Sequence, residues 1–368
     1  MKILPFAAFC PKIDKIVDLD FFGDDVRKNY ANYKPNFFEQ DDSASIYIYT
    51  IQTATHLHQG IVSTLAISDY IEGKVKKHEK TIEAKEKQQG KLLLERQALV
   101  KPVLLTYMEQ KSIQDLLHQL TTQALPTTVF AFKAQDQVHK IWRITAATTI
   151  ETLQNLFQIH VPQVYIADGH HRIEASKWVH QLDKQDGAIP KHDAFLCALF
   201  ASNALDICAY HRKVQLSDAL ITDDLLSKIG VFAEIEAMEK PTLPRHKFEL
   251  GLFVNNQYYL LKWKAEYLQN SDSQYVMLDV VLLNQHIFKS ILGIENIRSD
   301  KRITYPEGPL TLDEILPTTL QPDGEAIFVM YPVQIEDLMA IVDDGGIMPP
   351  KSTWFEPRMR NGFLVQEI

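Results

Sequence analysis

The sequence predicts an α+β fold built on a mixed sheet, and three observations carry that expectation. β-forming runs such as Ser45 to Gln52, with Ile46, Tyr47, Ile48, Tyr49 and Ile51, mix with helical stretches without strict βαβ alternation. Neither GxGxxG after a strand nor the P-loop pattern GxxxxGKS/T occurs, so the two common nucleotide folds lack support. One segment, from Gln163 to Ser176, reads as buried strand, tight turn and helix. Its bend, Asp168-Gly169-His170-His171-Arg172, holds a carboxylate, two imidazoles and a guanidinium.

Residues 1 to 45 mix apolar and acidic patches without a regular period and are expected to wrap the surface. A second strand is expected around Gly60-Ile61-Val62, then a charge-rich helix from Ile82 to Leu99 that stops before Pro102 and is solvated along much of its length. A helix from Ser112 to Gln123, a hairpin of Val129 to Phe132 with Val138 to Ile144, and a helix from Thr149 to Phe157 lead into the central segment, whose helix covers Glu174 to Leu182. Ala194 to Ala201 and Ile207 to Val214 read as interior strands, with Cys197 and Cys208 as small core residues and His211-Arg212 as a strand-end pair that either reaches a site or, the commoner case, is solvated.

Further on, a helix is expected from Ser217 to Ile229, and a hairpin of Phe248 to Val254 with Tyr258 to Lys264 across Asn255-Asn256-Gln257. Helices at Leu278 to Leu292 and Leu310 to Leu320, a strand at Ala326 to Tyr331, and a helix at Val333 to Val342 closed by Gly345-Gly346 complete the reading. The expected division is a core over residues 1–230 and a smaller C-terminal α+β region over 231–368 that packs on it.

With 368 residues and 46% apolar content, the chain exceeds one ordinary domain and can bury a sizeable core. Its net charge of −9 argues against a generic electrostatic hold on nucleic acid or an anionic membrane. Cys10, Cys197 and Cys208 are odd in number and show no CxxC spacing, which favours a reducing compartment over a disulfide framework. The apolar start, Met1 to Phe9, is too short for a signal peptide, and no apolar run spans a bilayer, so the expected location is cytoplasmic.

The bend at Asp168-Gly169 carries the chemistry. A helix N-terminus offers unpaired N–H groups and the positive end of a dipole, which suit a phosphate. The plainer reading is a helix with Asp168 as N-cap and solvated basic neighbours. Cations there oppose the dipole by a few tenths to about 1 kcal/mol each, so three of them make sense when an anion or metal joins them. The adjacent His170 and His171 point about 100° apart on a helix and rarely share one ion. Magnesium on Asp168 and phosphate oxygens is chemically easier.

Reactive side chains gather a second time at His78-Glu79-Lys80-Thr81. Glu79 reads either as a general base with an orienting neighbour or, with Glu83, as a first-turn helix acid, and the sequence weighs the two evenly. HExxH and GxSxG are both absent.

At Ala167-Asp168-Gly169-His170-His171-Arg172 the sequence resembles the family catalogued as domain of unknown function 1015. Ile3 to Phe6, His78 to Thr81, Arg96 to Pro102, Ile141-Trp142-Arg143 and Met348 to Phe355 fall where that family has similar blocks, so the resemblance spans nearly the whole chain. One departure is the family's alanine-proline-proline-tyrosine-aspartate-valine segment, which is replaced here by Asp20 to Val26. More distantly, the bend is similar to the phosphate-binding box of the ParB/sulfiredoxin superfamily, which includes free-serine kinases and CTP-hydrolysing ParB switches.

What the resemblance implies is a ParB/sulfiredoxin-like strand-turn-helix box that holds nucleotide phosphates. Gly169 and the N–H groups after it would cradle the phosphate, with His170, His171 and Arg172 balancing its charge. Asp168 would hold Mg2+ or the acceptor hydroxyl, and Glu79 would take the acceptor's proton. Lys351, Ser352 and Thr353 would close over the site, although as a bare sequence that tail reads as a terminus docking Trp354 and Phe355. The implied activity is a kinase, a nucleotide-dependent phosphotransferase using ATP or ADP on a small hydroxylated metabolite such as serine. The alternative is a nucleotide-binding regulatory switch with little catalysis that acts through a protein partner. The sulfiredoxin cysteine is replaced by His170 or His171, and no helix-turn-helix is recognisable. A homodimer stays open.

Overall fold

The computed structural model describes residues 1–16, 18–133, 136–185, 192–216, 222–268, 276–306, 308–317 and 324–368. The chain forms two compact units, Met1–Asp206 with Pro357–Ile368, and Ile207–Glu356. The sequence-based boundary at residue 230 falls inside the second unit. The reason lies in pairing: Arg212–Gln215, which reads as a continuation of the core, bonds instead to Glu325–Met330 more than a hundred residues later.

An eight-stranded mixed sheet organises the first unit. Its strands are β1 (Ile46–Gln52), β2 (Leu57–Ala66), β3 (Val75–Lys76), β4 (Val103–Tyr107), β5 (Thr128–Phe132), β6 (Gln137–Ile144), β7 (Val164–Asp168) and β8 (Ala194–Ala201). Their spatial order is β3-β7-β4-β8-β2-β1-β6-β5. β3 and β7 are parallel, as are β4 and β8, and the other neighbours run antiparallel. The central strands β4 and β8 are buried along nearly their whole length, as their unbroken apolar composition requires.

Six helices accompany this sheet: α1 (Asp24–Phe37), α2 (Ile67–Ile71), α3 (Glu83–Arg96), α4 (Lys111–Gln123), α5 (Ala147–His160) and α6 (His170–Gln185). α1 was not expected. Its apolar positions, Val26, Tyr30, Tyr33 and Phe37, do follow helical spacing and pack with Phe38, Ala98, Val100 and Val365. A Pro at position 35 and a kink at Asn29 hide that period.

α3 is anchored to α6 by a close approach. A Cβ on Gly90 would lie 2.3 Å from Cε3 of Trp178, so only glycine lets the indole cover the backbone of α3. Gly90→Ala is expected to lose about 1–2 kcal/mol net, overpacking of about 1–3 outweighing a gain of about 1 in helix propensity. The urea midpoint at constant m-value measures it.

The second unit contains a six-stranded sheet of β9 (Arg212–Gln215), β10 (Ala233–Met238), β11 (Glu249–Val254), β12 (Gln257–Trp263), β13 (Ile303–Thr304) and β14 (Glu325–Met330). The order is β10-β12-β11-β14-β9-β13, antiparallel throughout. The β11–β12 turn is Asn255-Asn256 with φ of 51° and 60°, the left-handed pair that Asn tolerates in a two-residue hairpin. The expected helix from Leu278 begins as Asp279–Leu282 and continues in π-helical form over Leu283–Lys289. Parts of the expected helices Ser217 to Ile229 and Leu310 to Leu320 lie outside the described residues.

The expectation that His211 and Arg212 are solvated is corrected. Arg212 is 1% exposed, and its guanidinium donates to the carbonyls of Tyr210 and, at 3.0 Å, Lys351. His211 is also buried, accepts a hydrogen bond from the Met330 amide at 3.1 Å, and is held near pKa 4 by burial. The expected single strand Ile207 to Val214 is interrupted between Cys208 and Arg212, which leaves Cys208 half-buried, whereas Cys197 is fully enclosed. Among the described residues no helix is long and apolar enough to cross a membrane.

Candidate functional site

β7 ends at Asp168, Gly169 turns the chain at φ +109°, and α6 starts at His170. The Gly169 carbonyl accepts from the amides of Arg172 at 2.8 Å and Ile173 at 3.1 Å. The N–H groups of His170 and His171 therefore have no acceptor within the helix and face outward from its first turn. A Cβ at Gly169 would stand 2.6 Å from Nη2 of Arg172, so the guanidinium lies against the bare glycine backbone.

Arg172 donates to Oδ2 of Asp168 at 2.8 Å, and Nζ of Lys101 stands 3.9 Å from the same oxygen. Burial favours the protonated form of Asp168, but Arg172, Lys101 and Arg358 outweigh it and hold the carboxyl well below the usual carboxylate range. Burial, helped by Arg172, pushes Lys101 down to about 8. Beside this pair Arg27, Arg96, Lys101 and Arg172 line a small pocket backed by Leu93 and Leu99. No carboxylate lines it, so the concavity is electropositive. Arg96 is fixed in place by donating to the carbonyls of Ala98 at 2.6 Å and Arg27 at 2.8 Å.

The imidazoles behave differently from the expectation that they supply charge. His78 is 2% exposed, and its ring meets that of His170 edge-on with centroids 4.4 Å apart. Burial lowers His78 to about 4 and, with His78 as neighbour, carries His170 well below its ordinary value. At neutral pH both rings are uncharged, so neither brings a positive charge to the bend. His171, half-buried, is also lowered, by burial first and then by Lys85. Nε2 of His170, Nδ1 of His171 and Nε of Arg172 are buried and make no hydrogen bond to protein. Three successive residues thus hold polar atoms in reserve at one bend, which is where an incoming anion would find them.

Glu174 is occupied elsewhere. It accepts from the Tyr70 hydroxyl and from Lys77 at 3.0 Å, with Lys177 at 3.5 Å. With His78 packed on His170, this pins residues 77 and 78 to α6, and the half-buried Glu79 follows directly in the chain. The first-turn acids of α3 are Glu83 and Glu86, not Glu79, which precedes the helix. The hydroxyl of Thr81 is given to Glu86. Lys351, Ser352 and Thr353 belong to the second unit, where Lys351 lies over the Tyr210 ring and the Ser352 hydroxyl donates to the Pro349 carbonyl at 2.6 Å.

The residues of the bend suit a phosphate, since buried polar atoms without a protein partner and a glycine turn at φ +109° lie there, with Arg172, Lys101 and Arg358 around Asp168. Magnesium on Asp168 does not fit. The carboxylate is already neutralised by Arg172 and Lys101, its further neighbour Arg358 is also cationic, and the other nearby acid, Glu174, is turned to Tyr70 and Lys77. The structure adds Arg27, Lys101, His78 and Arg358 to the residues expected at the site. Lys101 was within reach of the sequence, which placed it in the Arg96 to Pro102 block.

The buried His78 makes a pH prediction. Its folded pKa, about 4, lies below the ordinary 6.5, so the unfolded chain binds more protons between those values and stability falls as pH drops. His78 alone should cost about 2 kcal/mol between pH 7 and pH 5. The urea midpoint of His78→Gln should depend less steeply on pH than that of the wild type.

Among solved structures, the chain is similar to SbnI with a C-terminal truncation from Staphylococcus aureus, at 10% identity and TM-score 0.42 over 82% of this chain and 85% of that one. It is also similar to a conserved hypothetical protein from Pyrococcus furiosus, at 12% identity and TM-score 0.35 over 82% of this chain and 94% of that one, and to a free serine kinase mutant in complex with ADP, at 13% identity and TM-score 0.37 over 82% and 92%. A search of curated proteins found no match. Residues 23–281 match the family described as Protein of unknown function (DUF1015), and with the Asp168 bend, α3 and β8 all inside that span, the chain belongs to this family.

Proposed function

We propose that the protein is a nucleotide-dependent phosphotransferase that moves a phosphoryl group from ATP or ADP to the hydroxyl of a small metabolite, serine-like in size. The observation that carries this reading is the bend at Gly169, where His170, His171 and Arg172 each hold a buried polar atom without a protein partner and Arg172 also lines an electropositive pocket. In it the N–H groups of His170 and His171 bind phosphate oxygens, and Arg172 neutralises them while Asp168 fixes the guanidinium. His171 donates a hydrogen bond to an oxygen of the transferring group. Glu79 removes the acceptor's proton as its oxygen bonds to phosphorus and the bond to the departing nucleotide breaks. Positioning and charge balance supply most of such a rate enhancement, and these are what the residues offer.

Mass spectrometry tests it. The protein is incubated with ATP or ADP, magnesium chloride and a pool of hydroxylated metabolites, and one of them is expected to gain a phosphoryl group. Nucleotide binding with slow hydrolysis and no phosphorylated metabolite would replace the kinase by a switch. Failure to bind either nucleotide would overturn both.

A further inference from the structure

The first unit carries a second constellation, remote from the bend. His56, just before β2, His58, within it, and Asp206, beyond β8, present one ligand atom each, and the three atoms lie within 4.8 Å of one another. Nδ1 of His56 is 3.5 Å and Nε2 of His58 is 4.0 Å from Oδ2 of Asp206. Strand register separates the sites: Asp168 is level with Leu104, Ala198 and so Val62, four residues along β2 from His58 and three strands away. That is about 13 Å along the sheet and about 14 Å across it.

His58 is built to be a ligand. Its side chain is 4% exposed, and Nδ1 stands 3.0 Å from the carbonyl of Ala204, which can only accept. Nδ1 therefore carries the hydrogen, and in the neutral ring Nε2 turns its lone pair towards a carboxylate oxygen at a separation too long for a hydrogen bond. A carbonyl holding one ring nitrogen so that the other faces a cation is the usual outer-shell arrangement of metal-binding histidine. The distances agree. Two ligand atoms about 2.0–2.1 Å from one tetrahedral ion are about 3.4 Å apart, so the pairs with Asp206 need shifts of a few tenths of an ångström. His56, 60% exposed, can rotate to close the third edge, giving up a 3.0 Å contact with the Thr55 hydroxyl.

The geometry assigns to His56, His58 and Asp206 a site for one first-row divalent cation of the zinc class, with water in the remaining position. Two imidazoles and one carboxylate suit such an ion and not magnesium or calcium, which prefer oxygen ligands throughout. The ion would clip the β1–β2 turn to the segment that leaves β8.

Zinc alone is the probe. The full-length protein, stripped with EDTA and dialysed, is titrated with Zn2+ calorimetrically and melted with and without it. One Zn2+ per chain is expected, with a rise in Tm on saturation. His56→Ala and Asp206→Asn alter exposed side chains and should keep the metal-free Tm while weakening binding at least tenfold and abolishing the rise. His171→Ala should bind as the wild type does. Affinity unchanged in both His56→Ala and Asp206→Asn, or lost in His171→Ala, would place the ion elsewhere and overturn the assignment, as would absence of binding. None of these outcomes depends on the phosphotransferase reading, since no nucleotide is present.

Discussion

Arg172→Ala is expected to weaken binding of ATP or ADP by about 100-fold, measured by calorimetry at fixed ionic strength. A charge-assisted hydrogen bond contributes about 1.5–3 kcal/mol, and the guanidinium is the cation seated directly on the bend. Its removal also leaves Asp168, with Lys101 at 3.9 Å and Arg358 as its remaining cationic neighbours, as an under-compensated negative charge facing the incoming phosphate. Arg172→Lys separates the two effects. It keeps the charge but not the fork that reaches Asp168 while lying flat on Gly169, so recovery should be partial. Full affinity in Arg172→Ala would remove the phosphate from this bend.

The second large effect is on turnover. Glu79→Gln should lower the rate of phosphoryl transfer by about 100- to 10,000-fold, the range ascribed to a positioned general base, while nucleotide affinity stays within about twofold. The substitution preserves shape and removes only basicity. A structural role would show itself in the reverse pattern, with turnover per bound nucleotide preserved and the melting temperature lowered. If Glu79→Gln turns over at the wild-type rate, another group takes the proton.

Much of this was legible before any coordinates. β7, the turn at Gly169 and the start of α6 follow from a β-branched and aromatic run that meets a glycine, β5 and β6 follow from two neighbouring apolar runs, and the β11–β12 hairpin follows from its Asn-Asn turn. What stayed hidden is non-local. Arg27 lies on a helix whose period is masked by Pro35 and Asn29, and it reaches the pocket only because that helix packs near Val100 and Val365. His78 reads as one of a cluster of reactive side chains, but its contact with His170 depends on the pairing of β3 with β7 and the ion pair of Lys77 with Glu174, which no local pattern shows. The His56, His58 and Asp206 cluster joins residues about 150 positions apart, a spacing that no local motif encodes. Arg212 reads as a strand-end cation and is instead a buried one, because its donors find backbone carbonyls that a sequence does not show.

The last twelve residues, 357–368, rejoin the first unit after the chain has completed the second. They bring Phe363 onto the rings of Phe130 and Phe22, pair Gln366–Glu367 with Ala98–Leu99, and supply Arg358 to the surroundings of Asp168. During synthesis, then, the surroundings of Asp168 lack one of their cations until translation has passed residue 358. A nascent polypeptide stalled or cleaved before that point would hold the eight-stranded sheet yet lack Arg358 beside Asp168 and the Phe363 ring that packs on Phe130 and Phe22.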